Sequence, residues 1–164
     1  MTELFEQDLD LEEDTQKGKF LTFSLCKEDY GIEIKHVTEI IGIQAITEVP
    51  ELPNYVKGII NLRGKIIPVM DVRVRFAKEQ REYDDRTCVI IIDIMEFSIG
   101  LIVDRVCEVI SISENEIVPP PNIDKGYHHR YIKGIGKVNN EVKLILDCEK
   151  ILNDDELEKL NEIA

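Results

Sequence analysis

Three histidines, four cysteines and two matching aspartates are the residues through which this chain could do chemistry. His128 and His129 are adjacent, and neighbours in a loop point in different directions, so the pair lacks the i,i+4 or hairpin geometry of a metal site. Cys26, Cys88, Cys107 and Cys148 form no C-x-x-C pair, and each lies in or at the end of an apolar stretch. They read as small core residues, not as ligands, nucleophiles or a disulfide framework. Asp71 and Asp147 end two similar runs, where a carboxylate bonds turn amides more readily than it joins an acid/base pair. No G-x-S-x-G, G-x-x-x-x-G-K-S/T or H-E-x-x-H occurs. Nothing assembles a nucleophile, a base and oxyanion donors. The expectation is a protein without catalysis, metal or cofactor.

The remaining candidate is an arginine at a turn, Arg63 in "NLRGKIIPVMDVR", and an internal repeat supplies its control. "YVKGIINLRGKIIPVMDV" (Tyr55–Val72) lies without a gap over "YIKGIGKVNNEVKLILDC" (Tyr131–Cys148), with Tyr, Lys, Gly, Ile and Asp identical at five positions. Upstream, "FLTFSL" and "YGIEIKHVTEII" lie over "VIIIDI" and "IGLIVDRVCEVI", sharing Gly31/Gly100, Val37/Val106, Glu39/Glu108 and Ile41/Ile110. What both copies keep is what the fold demands. Gly58/Gly134 marks a close approach or a positive φ. Arg63-Gly64 faces Asn139-Asn140, and Asn serves a left-handed turn without any cation. Asn61 likewise faces Lys137. Both Asn61 and Arg63 therefore read as surplus to the hairpin. A rigid fork of five donors on a hairpin tip suits a carboxylate or backbone carbonyls. Val37 and Glu39 recur, so the repeat leaves them open between fold and partner.

The elements that must position these residues are strands. "KFLTFSL" alternates and "TCVIIID" is a β-branched run, with hairpins expected at Lys27–Asp29 and Met95–Phe97. "KHVTEI" and "DVRVRF" read as turns, and Asn153–Ile163 as a helix with Leu157, Leu160 and Ile163 on one stripe. Two copies of short strands favour small closed or nearly closed barrels, because closure removes edges. The expected organisation is an acidic tail over 1–17, modules over about 18–80 and 87–152 parted by the polar run 77–86, and a C-terminal helix over 153–164. Net charge is −13, but seven acids without a base fall in 1–14 and five acids against one lysine in 153–164, leaving 15–152 at −2. A nucleic-acid-binding double barrel is the alternative function, and the absence of a basic, aromatic-studded face disfavours it. No apolar run reaches the roughly 20 residues of a membrane span, and the first 14 residues lack a signal's basic and apolar regions, so a cytoplasmic protein is expected.

"YGIEIKHVTEII", "YVKGIINLRGKIIPVMDVR" and "LILDCEKIL" resemble the CheW family of chemotaxis coupling proteins, over about Lys19 to Leu152. The pattern K-G-x-x-N-L-R-G-x-x-x-P-x-x-D-x-R is long and specific. The resemblance implies a mainly β fold of two SH3-like five-stranded barrels packed around a shared apolar core. It implies a non-catalytic adaptor that couples the cytoplasmic tip of chemoreceptors to the regulatory domain of the histidine kinase CheA, in arrays beneath the membrane. Carried over residue by residue, the receptor-binding positions are Ile34, Val37, Glu39, Gly58, Asn61 and Arg63. Kinase contacts are implied at barrel-end hydrophobics without assigned residues. The acidic N-terminus and the loop Tyr127–Tyr131 depart from the family pattern without touching its signature.

Overall fold

Burial on one face or two decides how these runs pair. A computed structural model of the protein describes residues 17–120 and 131–151. The described strands are β1 (Lys19–Leu25), β2 (Glu28–Glu33), β3 (Val37–Gly42), β4 (Val56–Leu62), β5 (Lys65–Asp71), β6 (Cys88–Ile94), β7 (Phe97–Val103), β8 (Arg105–Ser111), β9 (Ile117–Val118), β10 (Ile132–Val138) and β11 (Glu141–Leu146). They form two sheets, in the orders β8-β1-β2-β11-β10-β9 and β3-β6-β7-β5-β4. The first has six strands where five were expected, the extra one being the two-residue β9.

The repeats do not each build their own sheet. The hairpin β1–β2 of the first repeat joins β8 to β11, and the hairpin β6–β7 of the second joins β3 to β5. Both transfers are sealed by a parallel pairing. Gly31 lies opposite Ile145 of β11, and Gly100 opposite Val69 of β5. A Cβ on Gly100 would stand 2.6 Å from Val89 and 2.9 Å from Val69, and one on Gly31 would stand 3.1 Å from Ile145. That crowding explains why glycine recurs at this point of both copies.

Each sheet also rolls toward its own opposite edge. β3 and β4 are the outer strands of one sheet, yet Thr47, shortly after β3, exchanges two 2.9 Å backbone hydrogen bonds with Ile59 of β4. β9, shortly after β8, pairs with β10 in the other sheet in the same way. Three cores result. Ile60, Ile67, Val69, Val89, Ile91 and Ile102 fill one sheet, and Phe20, Ile112 and Ile145 the other. A larger core between the sheets joins Leu21, Phe23 and Leu25 of β1 to Ile90, Ile92 and Ile94 of β6. β6 thus faces two cores at once, and so its sequence is apolar almost throughout.

Local chemistry shifts some boundaries from expectation. The hairpin turns are Cys26-Lys27 and Met95-Glu96, with Leu25↔Glu28 and Ile94↔Phe97 closing them. Left-handed φ values at Cys26, Met95 and Glu96 mark tight turns without glycine or asparagine, the signals that would have placed them by sequence. "KHVTEI" is a 3-10 turn over Ile34–His36 followed by strand, as β-branched Val37, Thr38, Ile40 and Ile41 favour. Two short helices, α1 (Val72–Arg75) and α2 (Cys148–Ile151), follow the repeated aspartates. Asp71 accepts from the Arg73 N–H at 3.0 Å, and Asp147 from the Glu149 N–H at 3.1 Å, so both aspartates cap helices. Of the cysteines only Cys148 is buried, while Cys26 and Cys107 are exposed, which corrects their reading as core residues. The helix expected over 153–164, His128, His129 and the acidic tail up to residue 16 lie outside the described residues.

One buried ion pair ties the sheets at their crossing. Asp104 is the single residue between β7 and β8, where the chain passes from one sheet to the other. Arg73 of α1 donates to its two carboxylate oxygens at 2.5 Å each, and the Cys26 N–H adds a third bond at 2.9 Å. Both side chains are 11% exposed. Burial alone would raise the Asp104 carboxyl, but the Arg73 and Cys26 hydrogen bonds and the charges of Arg73 and Arg81 hold it below its usual range. Breaking such a pair costs about 3–5 kcal/mol. Asp104→Asn should therefore melt well below wild type at neutral pH. A depressed pKa stabilises fully above the unfolded value of about 3.9 and is lost as pH falls through the folded value. The melting gap should close below about pH 4; a gap constant from pH 7 to pH 3 would show that the carboxylate's charge is not what matters.

Candidate functional site

The turn Arg63-Gly64 joins β4 to β5, with Leu62↔Lys65 as the closing pair. Its φ values, 52° and 87°, are both left-handed, as are those of Asn139 and Asn140 at 50° and 65°. The two tips therefore share one turn type. Asparagine enters this region more easily than a long side chain, so Arg63 holds a position that its counterpart fills at lower strain. Asn61, by contrast, is not surplus to the turn: its Oδ1 accepts the Gly64 N–H at 2.9 Å. Lys137 has no acceptor to offer there, and the second copy does without this bond. That corrects the reading of Asn61 as dispensable.

Arg63 reaches the far edge of its own sheet. Its Nη1 donates to Glu39 Oε1 at 2.9 Å and its Nη2 to Glu39 Oε2, a bidentate pair between the β4–β5 tip and β3. The pair spans the seam left between the first and last strands of the sheet order. The Arg63 hydrogen bond holds the Glu39 carboxyl below its usual range, and Glu39 in turn raises the guanidinium. Arg63 stays 71% exposed and Glu39 31%, so the cation is partnered and still presented to solvent. Glu108 stands where Glu39 does in the repeat, but its matching tip carries Asn139, so the recurrent glutamate gains an arginine in one copy alone.

Upstream on the same strand, Val37 is half-buried against the central core, as is Ile34 in the preceding 3-10 turn. Ile40 and Ile66 are 42% and 38% exposed, one beside Glu39 in sequence and the other on the hairpin that carries Arg63. Gly58 does not share this surface. It is buried at φ 147°, and a Cβ there would lie 2.0 Å from the Thr47 carbonyl oxygen. Its place in the motif follows from the Thr47–Ile59 bridge that rolls the sheet.

Three arginine and tyrosine features escaped the sequence reading. Arg73 is half of the Asp104 pair. Arg75 lies over the rings of Tyr55 and Tyr131, at 4.4 and 5.0 Å, the same tyrosine from each repeat. Its Nε donates to the Ile151 carbonyl at 2.8 Å. The hydroxyl of Tyr83 donates to buried Asp71 at 2.7 Å. Only the recurrence of the tyrosines hinted at any of this. Among the described residues no group of three or more His, Cys, Asp or Glu stands ready to hold a metal. The imidazole of His36 is lowered by burial and then by Lys35. Burial pushes the Cys148 thiol up to about 12, which removes the one buried cysteine as a nucleophile.

Two rolled mixed sheets, mainly antiparallel, interlocked through exchanged hairpins and carrying a solvent-facing ion pair at one seam, define a double-sheet binding module. The CheW-like domain family matches residues 19–156, and the chain belongs to that family. It is 34% identical to the chemotaxis protein CheW of Klebsiella aerogenes over 151 residues, 92% of this chain and 91% of that one. It is 33% identical to CheW of Treponema pallidum over 149 residues, 88% of each. The solved scaffolding protein TtCheW of Thermoanaerobacter tengcongensis superposes with a TM-score of 0.78 at 39% identity, covering 85% of this chain and 94% of that one.

Two substitutions on one hairpin should part company. Arg63→Asn should melt at or above the wild-type temperature, because asparagine suits the left-handed φ. Gly58→Ala should cost about 3 kcal/mol or more, because its Cβ and the Thr47 carbonyl cannot both keep their places. Thermal melts of both variants check the division; a large loss for Arg63→Asn would mean that the ion pair, not the turn, holds the seam.

Proposed function

We propose that this chain is a non-catalytic adaptor of chemotaxis signalling, coupling chemoreceptors to the histidine kinase CheA. Family membership supports the class of role, and the Arg63–Glu39 pair is the observation that points to the surface. An arginine kept at a strained turn, paired yet mostly solvated, is an anchor that the hairpin itself does not require. Half-buried Val37 and exposed Ile40 lie opposite Ile92 and Ile90, on the face of β3 away from Glu39, and with half-buried Ile34 supply apolar contacts at the same sheet edge. A charged anchor and apolar side chains at one sheet edge suit an amphipathic helix, the form that a receptor tip would offer. Ile34, Val37, Glu39, Asn61 and Arg63 are thus the receptor-facing residues, while Gly58 shapes the strand beneath them.

Binding a receptor exchanges one arrangement of the pair for another. A partner carboxylate or carbonyl can take one guanidinium face while Glu39 keeps the other, because the fork has five donors and the pair uses two. Desolvating a pre-formed pair costs less side-chain entropy than ordering a free arginine. The adaptor would hold receptor and the CheA regulatory domain together, so that weak contacts add through effective concentration. No helix among the described residues is long and apolar enough to cross a membrane, so a place beneath receptor arrays would come from these partners.

A pulldown with a receptor-tip fragment and the CheA regulatory domain tests this reading. Arg63→Ala should weaken receptor capture by roughly tenfold, a loss of about 1.4 kcal/mol of binding, and leave kinase capture unchanged. Equal loss of both partners, or of neither, would remove the pair from the receptor surface.

A further inference from the structure

A groove of about 940 Å³ opens on the sheet that begins with β1, well apart in sequence from the Arg63 tip. Phe20, Ile112 and Ile117 line its apolar floor, the first two buried in the core they share with Ile145 and Ile117 half-buried. Its rim carries four lysines, Lys17, Lys19, Lys35 and Lys133, against two acids, Glu33 and Glu114. Lys35 and Lys133 both pair with Glu33, so one carboxylate serves two ammonium groups. Among the described residues Lys17 and Lys19 have no acidic partner. In a chain of net charge −13 this is a local excess of positive charge, and it needs an explanation.

The chain itself carries a complementary segment. Residues 1–16, which lie outside the described residues, hold seven acids and no base. Leu4, Phe5, Leu9 and Leu11 are interleaved with those acids, whereas a purely solvating tail has no use for four large apolar side chains. The segment ends at Lys17, itself a lining residue, so it is delivered to the groove at the effective concentration of a short tether, on the millimolar scale. We infer that the groove is the docking site of the chain's own N-terminal segment, with its leucines and phenylalanine on the Phe20–Ile112–Ile117 floor and its carboxylates on the lysine rim. Glu33 and Lys35 flank Ile34, so the docked segment borders the receptor-facing stretch; that consequence, unlike the docking, rests on the function proposed above.

Zero-length carbodiimide coupling of the full chain, read by mass spectrometry, tests the docking without any receptor. Sixteen extended residues span up to about 55 Å, so the tail can reach lysines away from the groove, such as Lys65 on the other sheet. The expected result is tail-to-Lys133 and tail-to-Lys35 links, within one molecule, at roughly ten times the yield of links to Lys65. The preference should vanish in about 1 M salt, where the Debye length is about 3 Å. It should also fall in the Leu4→Ser, Phe5→Ser, Leu9→Ser variant, whose changes lie outside the described strands. Even yields across all lysines would overturn the inference, as would links only between molecules or a preference that the serine variant retains in full.

Discussion

Tyr30 and Gly31 of the first repeat lie alongside Leu144 and Ile145 of the second, and Val69 and Met70 of the first alongside Gly100 and Leu101 of the second. These two short parallel contacts hold each hairpin in a sheet that the other repeat began. Because of them the strands β1 and β6 are buried on both sides, and a core forms between the sheets that neither repeat owns. About 65 residues could not bury enough apolar surface to stand alone. Exchange solves that problem, and it also brings Arg73 of α1, the Asp104 crossing and the exposed Cys26 turn into one hydrogen-bonded cluster. The same arrangement sets Arg75 between Tyr55 and Tyr131, the matching residue of each copy.

With the interior fixed in this way, the seam between β3 and the β4–β5 tip is free to differ between the copies. The Thr47–Ile59 hydrogen bonds and buried Gly58 roll the sheet, and the Arg63–Glu39 pair then crosses the gap on the outside. In the other sheet β9 does the rolling and Asn139-Asn140 makes the turn, with no cation. Comparison inside one molecule thus separates what the architecture needs from what it only tolerates. The arginine belongs to the second group, and the glycine to the first.

Much of this was legible in the residues. The repeat, the turn chemistry of Arg63-Gly64 against Asn139-Asn140, the bonding of Asp71 and Asp147 to nearby backbone amides, and the strand character of "CVIIIDI" all follow from pattern and spacing; that those amides open short helices does not. What did not follow were long-range pairings. Nothing local tells Asp104 from any other acid after a strand, and a carboxylate 31 residues from its arginine leaves no period to detect. The exchange of hairpins is invisible for a related reason: the two copies match so well that either could complete either sheet. Asn61 was misread because the hairpin stands without its side-chain bond in the second copy, so a comparison of copies counts that bond as spare. Cys26 and Cys107 looked like core residues because apolar neighbours surround them in sequence, although one sits in a turn and the other on an exposed edge strand.

The central claim is that a surplus ion pair on an interlocked scaffold marks the receptor surface. Its most direct test is amide shift mapping of the labelled full chain as a soluble receptor-tip fragment is added. The account predicts that the largest changes fall at Val37, Glu39, Ile40, Arg63 and Gly64, with β8 and β9 unmoved. Changes centred on β8, β9 or β10, with the Arg63 tip silent, would contradict it.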